Sequence, residues 1–271
     1  MTVEIAEVDR LDCRFVDHHW RFAEERAAEI ERHWQERRRV NPALYDGSVL
    51  LACRVELITS EDGARILRMS LFKTRFSRFV AWRDFGWPDK TVSNCFSMPA
   101  VRARDGAYLL GEMAPSHSSA GQLYFPCGTP DPSDIVAHGK VDLVGNLVRE
   151  LAEETGLVVA ESRAAAGWTV IFDRQHIACI KRLDFDAPSQ ALLAKVKAFL
   201  ASESAPELAD ALMVSTLEAL SDPRLPAFMV AYLSRAFGGR MKFRSVQGRF
   251  GANDSTATLR RRPSGSASAD G

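Results

Sequence analysis

The chain has 271 residues, 46% hydrophobic and 26% charged, which suits an ordinary globular protein with room for a core domain and a substantial extension. Its 35 basic and 35 acidic side chains cancel, so no global field argues for a nucleic acid polymer or a membrane as partner. No stretch approaches the roughly 20 apolar residues of a membrane span, and Glu4, Glu7, Asp9 and Arg10 exclude a signal-peptide core at the start.

Five scattered cysteines (Cys13, Cys53, Cys95, Cys127 and Cys179) lack CxxC spacing. They predict a reduced, cytoplasmic setting without disulfides or a zinc site. Phe22, Ala23, Ala27, Ile30 and Trp34 recur at three- and four-residue steps, predicting a helix over 20–39 that Asn41-Pro42 stops. After a turn at Tyr45-Asp46-Gly47, the alternation of Val49, Leu51, Cys53, Val55 and Leu57 predicts a strand over 48–60. Glu61-Asp62-Gly63 suits a hairpin turn, with the return strand over 64–73. A short amphipathic helix is expected over 76–82, and strands over 98–102 and 108–113. Residues 125–134 form a loop dense in breakers. A strong helix follows over 144–155, with Gly156 placed to end it. Beyond it the pattern predicts a strand pair over 168–185, a helix around Leu192–Leu200, and helices over 207–219 and 227–237. From about residue 246 apolar periodicity disappears, the composition of a disordered tail. Helices covering a mixed sheet, in the α/β (α+β) class, account for this order.

The chemistry concentrates in Arg149-Glu150-Leu151-Ala152-Glu153-Glu154-Thr155-Gly156-Leu157. On a helix, Glu150, Glu153 and Glu154 stand at i, i+3 and i+4, so three carboxylates share one face. Like charges this close raise one another's pKa, a penalty that a divalent cation with a taste for hard oxygen ligands removes. A solvated charged face is the plainer explanation of any glutamate cluster. Arg149, four residues before Glu153, is placed to brace it. Leu143, Leu147, Leu151 and Thr155, with Val144 and Val148 alongside, would anchor the helix in the core.

This nine-residue string matches R-E-U-x-E-E-x-G-U, where U is a bulky aliphatic residue, and so resembles the box of the Nudix hydrolase superfamily. The resemblance implies a mixed sheet sandwiched between helices, Mg²⁺ or Mn²⁺ as cofactor, and cleavage of a diphosphate linkage in a nucleoside diphosphate derivative. By carry-over, Glu150, Glu153, Glu154 and a carbonyl near Gly128 would hold the metal, and Glu150 or Glu153 would orient or deprotonate the attacking water. It divides the chain into an N-terminal extension (1–95), a Nudix domain (96–243) and a disordered tail (244–271). The full box reads G-x5-E-x7-R-E-U-x-E-E-x-G-U, and here the interval from Gly128 to Arg149 is seven residues longer. Eight positions before Arg149 stands Val141 instead of the first box glutamate, with Asp142 beside it. Cys127 stands where the family usually has glycine. The order of elements before the core also looks like the branch acting on UDP-sugars.

Outside the string, Asp131, Asp134, His138, Lys140 and Asp142 crowd the lengthened loop, as a solvated insertion or with Asp131 or Asp134 on the metal and Lys140 on a phosphate. Glu203, Glu207 and Glu218 are candidates for a base outside the box. Lys73, Arg75, Arg78 and Arg83 form a basic group, and Tyr124, Phe125, Trp168 and Phe172 are aromatic candidates for stacking or core. Cys127 has no His–Asp arrangement around it and reads as a small packed residue. The expected partner is a small nucleoside diphosphate derivative, with a homodimer left open. Two readings compete with hydrolysis: a nucleotide-binding module without turnover, and a scaffold that docks a partner on the 20–39 helix.

Overall fold

The computed structural model describes residues 3–239 and the backbone at 244 and 245, so the tail expected from 246 onward lies outside the described residues. In chain order the elements are β1 (Glu4–Val8), β2 (Arg10–Phe15), α1 (Arg21–Glu25), α2 (Ala27–Val40), β3 (Ser48–Thr59), β4 (Arg65–Arg75), α3 (Phe76–Asp84), β5 (Asn94–Arg102), β6 (Tyr108–Met113) and β7 (Leu123–Tyr124). They continue with β8 (Ile135–Val136), β9 (Lys140–Val141), α4 (Leu143–Thr155), β10 (Ser162–Ala164), β11 (Trp168–Asp173), β12 (His176–Phe185), α5 (Ser189–Ser202), β13 (Leu208–Val214), α6 (Ala227–Ala236) and β14 (Arg244–Ser245).

The chain is of mixed α+β class, with two mixed sheets and helices against them. The long sheet runs β13-β6-β5-β12-β11-β1-β14, with β7 beside β6 and β10 beside β12. Its centre, β5 against β12, is parallel, and apolar residues fill both of its faces, as expected of strands covered on two sides. The second sheet runs β3-β4-β2-β9-β8. Leu50, Leu67, Met69 and Leu71 from this sheet meet Val101, Val170, Cys179, α4 and α5 in one core. The other face of the long sheet packs on Phe228, Met229 and Tyr232 of α6. Trp20, Trp34, Phe79 and Trp82 of the first helices form a third cluster over β3 and β4. Among the described residues no helix is long and apolar enough to cross a membrane.

Three expectations change. The helix expected over 20–39 is broken at Arg26, whose φ of −112° and ψ of 20° leave the helical region between α1 and α2. The helix expected over 207–219 is an edge strand, β13, followed by a short 3₁₀ turn at Glu218–Ser221. Leu208, Ala211 and Val214 are spaced at three residues because the strand is covered on both faces. Leu208 and Val214 enter the α6-side core, and Ala211 enters the opposite one. That spacing imitates a helical period. Finally, β1 and β2 carry no predicted element. In β1, Ile5 faces one core and Ala6 and Val8 the other, so its charged ends conceal a strand hydrogen-bonded beside β11.

Candidate active site

The site is organised by α4. Asp142 is its N-cap, its side chain accepting from the Val144 N–H at 3.2 Å, and Gly156 closes it in the left-handed region at φ 67°. Leu143, Leu147 and Leu151 point into the core. Asn146, Glu150 and Glu154, also four apart, form a second inward row, in which Asn146 is buried, Glu150 and Glu154 face a cleft, and Glu153 stands exposed at the rim. This double row displaces Val144 and Val148, expected alongside the core stripe, to the exposed side, where they are 54% and 39% accessible.

Glu154 Oε1 accepts the Cys127 N–H at 2.9 Å, while Oε2 is buried without a hydrogen-bond partner. Glu150 Oε1 accepts from Asn146 Nδ2 and Arg149 Nη2, both at 3.3 Å. Gly128 is held beside β5 by its bridge to Ser97, and a Cβ there would fall 2.3 Å from the Glu150 carboxyl carbon. Only glycine leaves room for that carboxylate. Burial, with neighbouring Glu153, Glu207 and Asp134 outweighing Arg149, raises the Glu150 carboxyl to about 7. Burial and the same acidic surroundings raise Glu154 and Glu207 as well. Burial and nearby Glu154 also push the Cys127 thiol up, the opposite of an activated nucleophile.

Asp134, singled out in the sequence only among the loop aspartates that could bind metal, completes the frame as the partner of Arg149. Asp134 lies six positions after Gly128, where the box has its first glutamate, and its side chain is only 2% exposed. It receives Arg149 Nη1 at 2.8 Å and Nη2 at 3.3 Å, together with Asn146 Nδ2 at 3.1 Å and the Asp131 N–H at 2.9 Å. Arg149 thus braces Asp134 and Glu150 instead of Glu153. Counting forward from Gly128 finds Asp134, whereas counting back from Arg149 finds Val141. The seven residues between, Ile135 to Val141, form the small β8–β9 hairpin, which joins the second sheet through Lys140 opposite Arg14. The extra length is therefore a splint between the box and the first strands. Asp131 caps the adjoining 3₁₀ turn and His138 sits in the hairpin bend at φ 60°.

Two connected spaces border these groups. A pocket of about 150 Å³ is lined by Glu150, Glu153, Glu154, Glu203 and Glu207. A cavity of about 450 Å³ shares Glu150 and Glu207 with it and continues past Gly128 to Tyr124, Phe76, Phe79 and Arg83. Of the other candidates, Glu218 borders neither, Arg75 pairs with Asp46 at 3.0 Å, and Phe125 and Phe172 are core residues. Trp168 borders a separate cavity beside Arg182 and Arg235.

Among the described residues no three His, Cys, Asp or Glu side chains already converge as a ready metal-ligand set; Glu150 is turned to Asn146 and Arg149, and Glu154 to Cys127. The donor set nonetheless fits a hard divalent cation. It is all oxygen, one buried carboxylate oxygen lacks a partner, and Gly128 leaves its carboxylate neighbour unhindered. The box string lies on α4 with its glutamates beside Gly128 and a mixed sheet behind them, the setting that its resemblance to the Nudix box implies.

No protein-family model matches the chain, and no curated protein does. Among solved structures it is similar to a MutT protein from Methanosarcina mazei Go1, at 18% identity over 53% of this chain and 92% of that one, with a TM-score of 0.35. It is also similar to a Nudix hydrolase from M. smegmatis, RenU, at 17% identity over 66% and 91%, TM-score 0.33. A third is a bifunctional NMN adenylyltransferase/ADP ribose pyrophosphatase from Francisella tularensis, complexed with AMP and a Mn ion. The match has 16% identity and a TM-score of 0.39, covering 59% of this chain and 46% of that one.

Proposed function

We propose that the chain is a divalent-metal-dependent hydrolase that cleaves the diphosphate linkage of a nucleoside diphosphate derivative, such as a nucleotide-sugar or ADP-ribose. The observation that carries this reading is the Glu154 carboxylate, buried among other acids with one oxygen unpartnered. A fold that served only itself would gain nothing from such a group. Glu150, Glu153 and Glu154, with a carbonyl at Gly128, would hold Mg²⁺ or Mn²⁺. When bound, the cation neutralises phosphate charge and acidifies water. Water attacks one phosphorus, a new P–O bond forms, and the bond to the bridging oxygen breaks. Glu150 or Glu153 orients the water and accepts its proton. Glu207, bordering both spaces, is the carboxylate outside α4 that could accept it instead.

The test is turnover of UDP-glucose, ADP-ribose and a dinucleoside polyphosphate by the full chain with Mg²⁺ or Mn²⁺. Glu153→Gln should lower kcat by about 10²–10⁴-fold while ligand affinity is retained. Tight binding of one compound without turnover of any would replace this reading with that of a nucleotide-binding module.

A further inference from the structure

Segments far apart in sequence enclose the 450 Å³ cavity. Phe76, Phe79 and Arg83 come from α3, while Tyr124, His176 and Phe228 come from the core. The volume lies within the roughly 300–1,000 Å³ of small-molecule sites. Glu150 and Glu207 mark one region of its wall and Arg83 another. Phe76, Phe79, Phe96, Tyr124 and Phe228 give the wall aromatic surfaces suited to the faces of a planar ring, alongside uncharged polar groups such as Asn94 and Gln122.

We propose that this cavity binds the nucleobase of the substrate and that Arg83 is its specificity-determining residue, selecting a base with an outward carbonyl edge, as in uracil or guanine, over adenine. This rests on the hydrolase reading only for where the diphosphate sits. Arg83 is a donor-only group on the cavity wall. Its salt bridge to Asp84 runs through Nε at 2.9 Å, so its charge is already answered and Nη1 and Nη2 are left to donate. A guanidinium fork matches carbonyl acceptors, as in its pairing with guanine, whereas the amino group of adenine presents another donor. The imidazoles nearby do not supply a second cation. Burial, reinforced by Arg83, lowers His117, and it lowers His176 to about 4. His117 Nδ1 is occupied as acceptor of the Ser119 N–H at 3.1 Å. The cavity therefore holds one cation, neutral rings and a carboxylate border.

The test is equilibrium binding of UMP, GMP and AMP to the full chain, followed by calorimetry. These compounds contain no diphosphate bond, so they report the cavity whether or not the chain hydrolyses anything. UMP and GMP should bind at least about fivefold tighter than AMP, the lower end of what one bidentate pair discriminates. Arg83→Gln should bring the three within about twofold, and Arg83→Lys, which keeps the charge without the fork, should restore only part of the preference. Equal binding by wild type, or an unchanged preference in Arg83→Gln, would overturn the inference. Hydrolysis without base preference would leave the enzyme reading standing and remove this one; preference without hydrolysis would do the reverse.

Discussion

At the α4 end of the cleft, burial works against carboxylates; at the α3 end it works against imidazoles. Glu150 is raised to about 7 and His176 is lowered to about 4, so both ends are driven toward neutrality by the same loss of solvent. They differ in what surrounds the neutral group. His176 meets Trp87 edge to face, with centroids 5.1 Å apart, and lies near Phe96 and Phe228. Those rings favour the neutral imidazole without calling for an ionic partner. Glu150 and Glu154 are packed with further acids, and Glu154 has an oxygen with no partner. At one end the neutral group has aromatic neighbours; at the other it lies among acids whose repulsion the proposed cation would relieve.

The largest expected effect tests what fixes the acidic end. Asp134→Asn keeps the shape but leaves Arg149 without its buried carboxylate partner. It should lower unfolding stability in urea by about 2–4 kcal/mol, somewhat less than a fully buried pair because Arg149 still reaches solvent. At the other end, Arg83→Gln should cost about 1 kcal/mol or less, since Asp84 keeps His33 at 2.9 Å. Equal losses would erase the asymmetry between the two ends.

The next effect is a pair of opposing pH slopes. A raised carboxyl is protonated in the fold at pH values where the unfolded chain has already released the proton. Glu150 therefore contributes stability below about 4.5 that is lost as pH rises through about 7. A lowered imidazole has the opposite sign: His176 contributes stability above about 6.5 that is lost as pH falls through about 4. Each contribution is on the order of 1–3 kcal/mol. In chelator the two should partly cancel, giving a shallow profile in thermal melts. Glu150→Gln should unmask a rise in stability with pH, and His176→Gln a fall. Added Mg²⁺ should stabilise wild type more at about pH 8 than at about pH 5, because protonated carboxyls bind it poorly. Parallel profiles for the two variants would contradict the comparison.

The acidic end was the legible one. Its residues lie within nine positions on a helix whose period and C-terminal glycine are plain in the sequence, and its core stripe of Leu143, Leu147 and Leu151 follows the expected face. Asp134 was obscured because a seven-residue hairpin separates it from the string it supports. The cavity was harder. The short Phe-rich helix was expected, yet nothing local says that Phe76, Phe79 and Arg83 line one cavity with Tyr124 and Phe228. Strand β13 was misread for the related reason that burial on both faces removes period-two alternation.

The smallest effect separates the geometry of the site from the stability of the fold. An alanine Cβ at Gly128 would overlap the Glu150 carboxyl group, the far end of a side chain that can swing away. Gly128→Ala should therefore change stability in chelator by no more than about 1 kcal/mol. It moves a carboxylate proposed as a metal ligand, however, and a tenfold loss of Mg²⁺ affinity would remove about 1.4 kcal/mol of the stabilisation that saturating Mg²⁺ would confer. Gly156→Ala is the converse control. It forces a side chain into φ 67° and toward the Phe199 ring, 2.6 Å from the new Cβ, a ring that borders the carboxylate pocket but offers no ligand oxygen. It should lower stability in chelator and leave the Mg²⁺ increment intact. Should Gly128→Ala keep the full increment, Glu150 would not be a ligand, and the proposed cation would have to be assigned to Glu153, Glu154 and Glu207 alone.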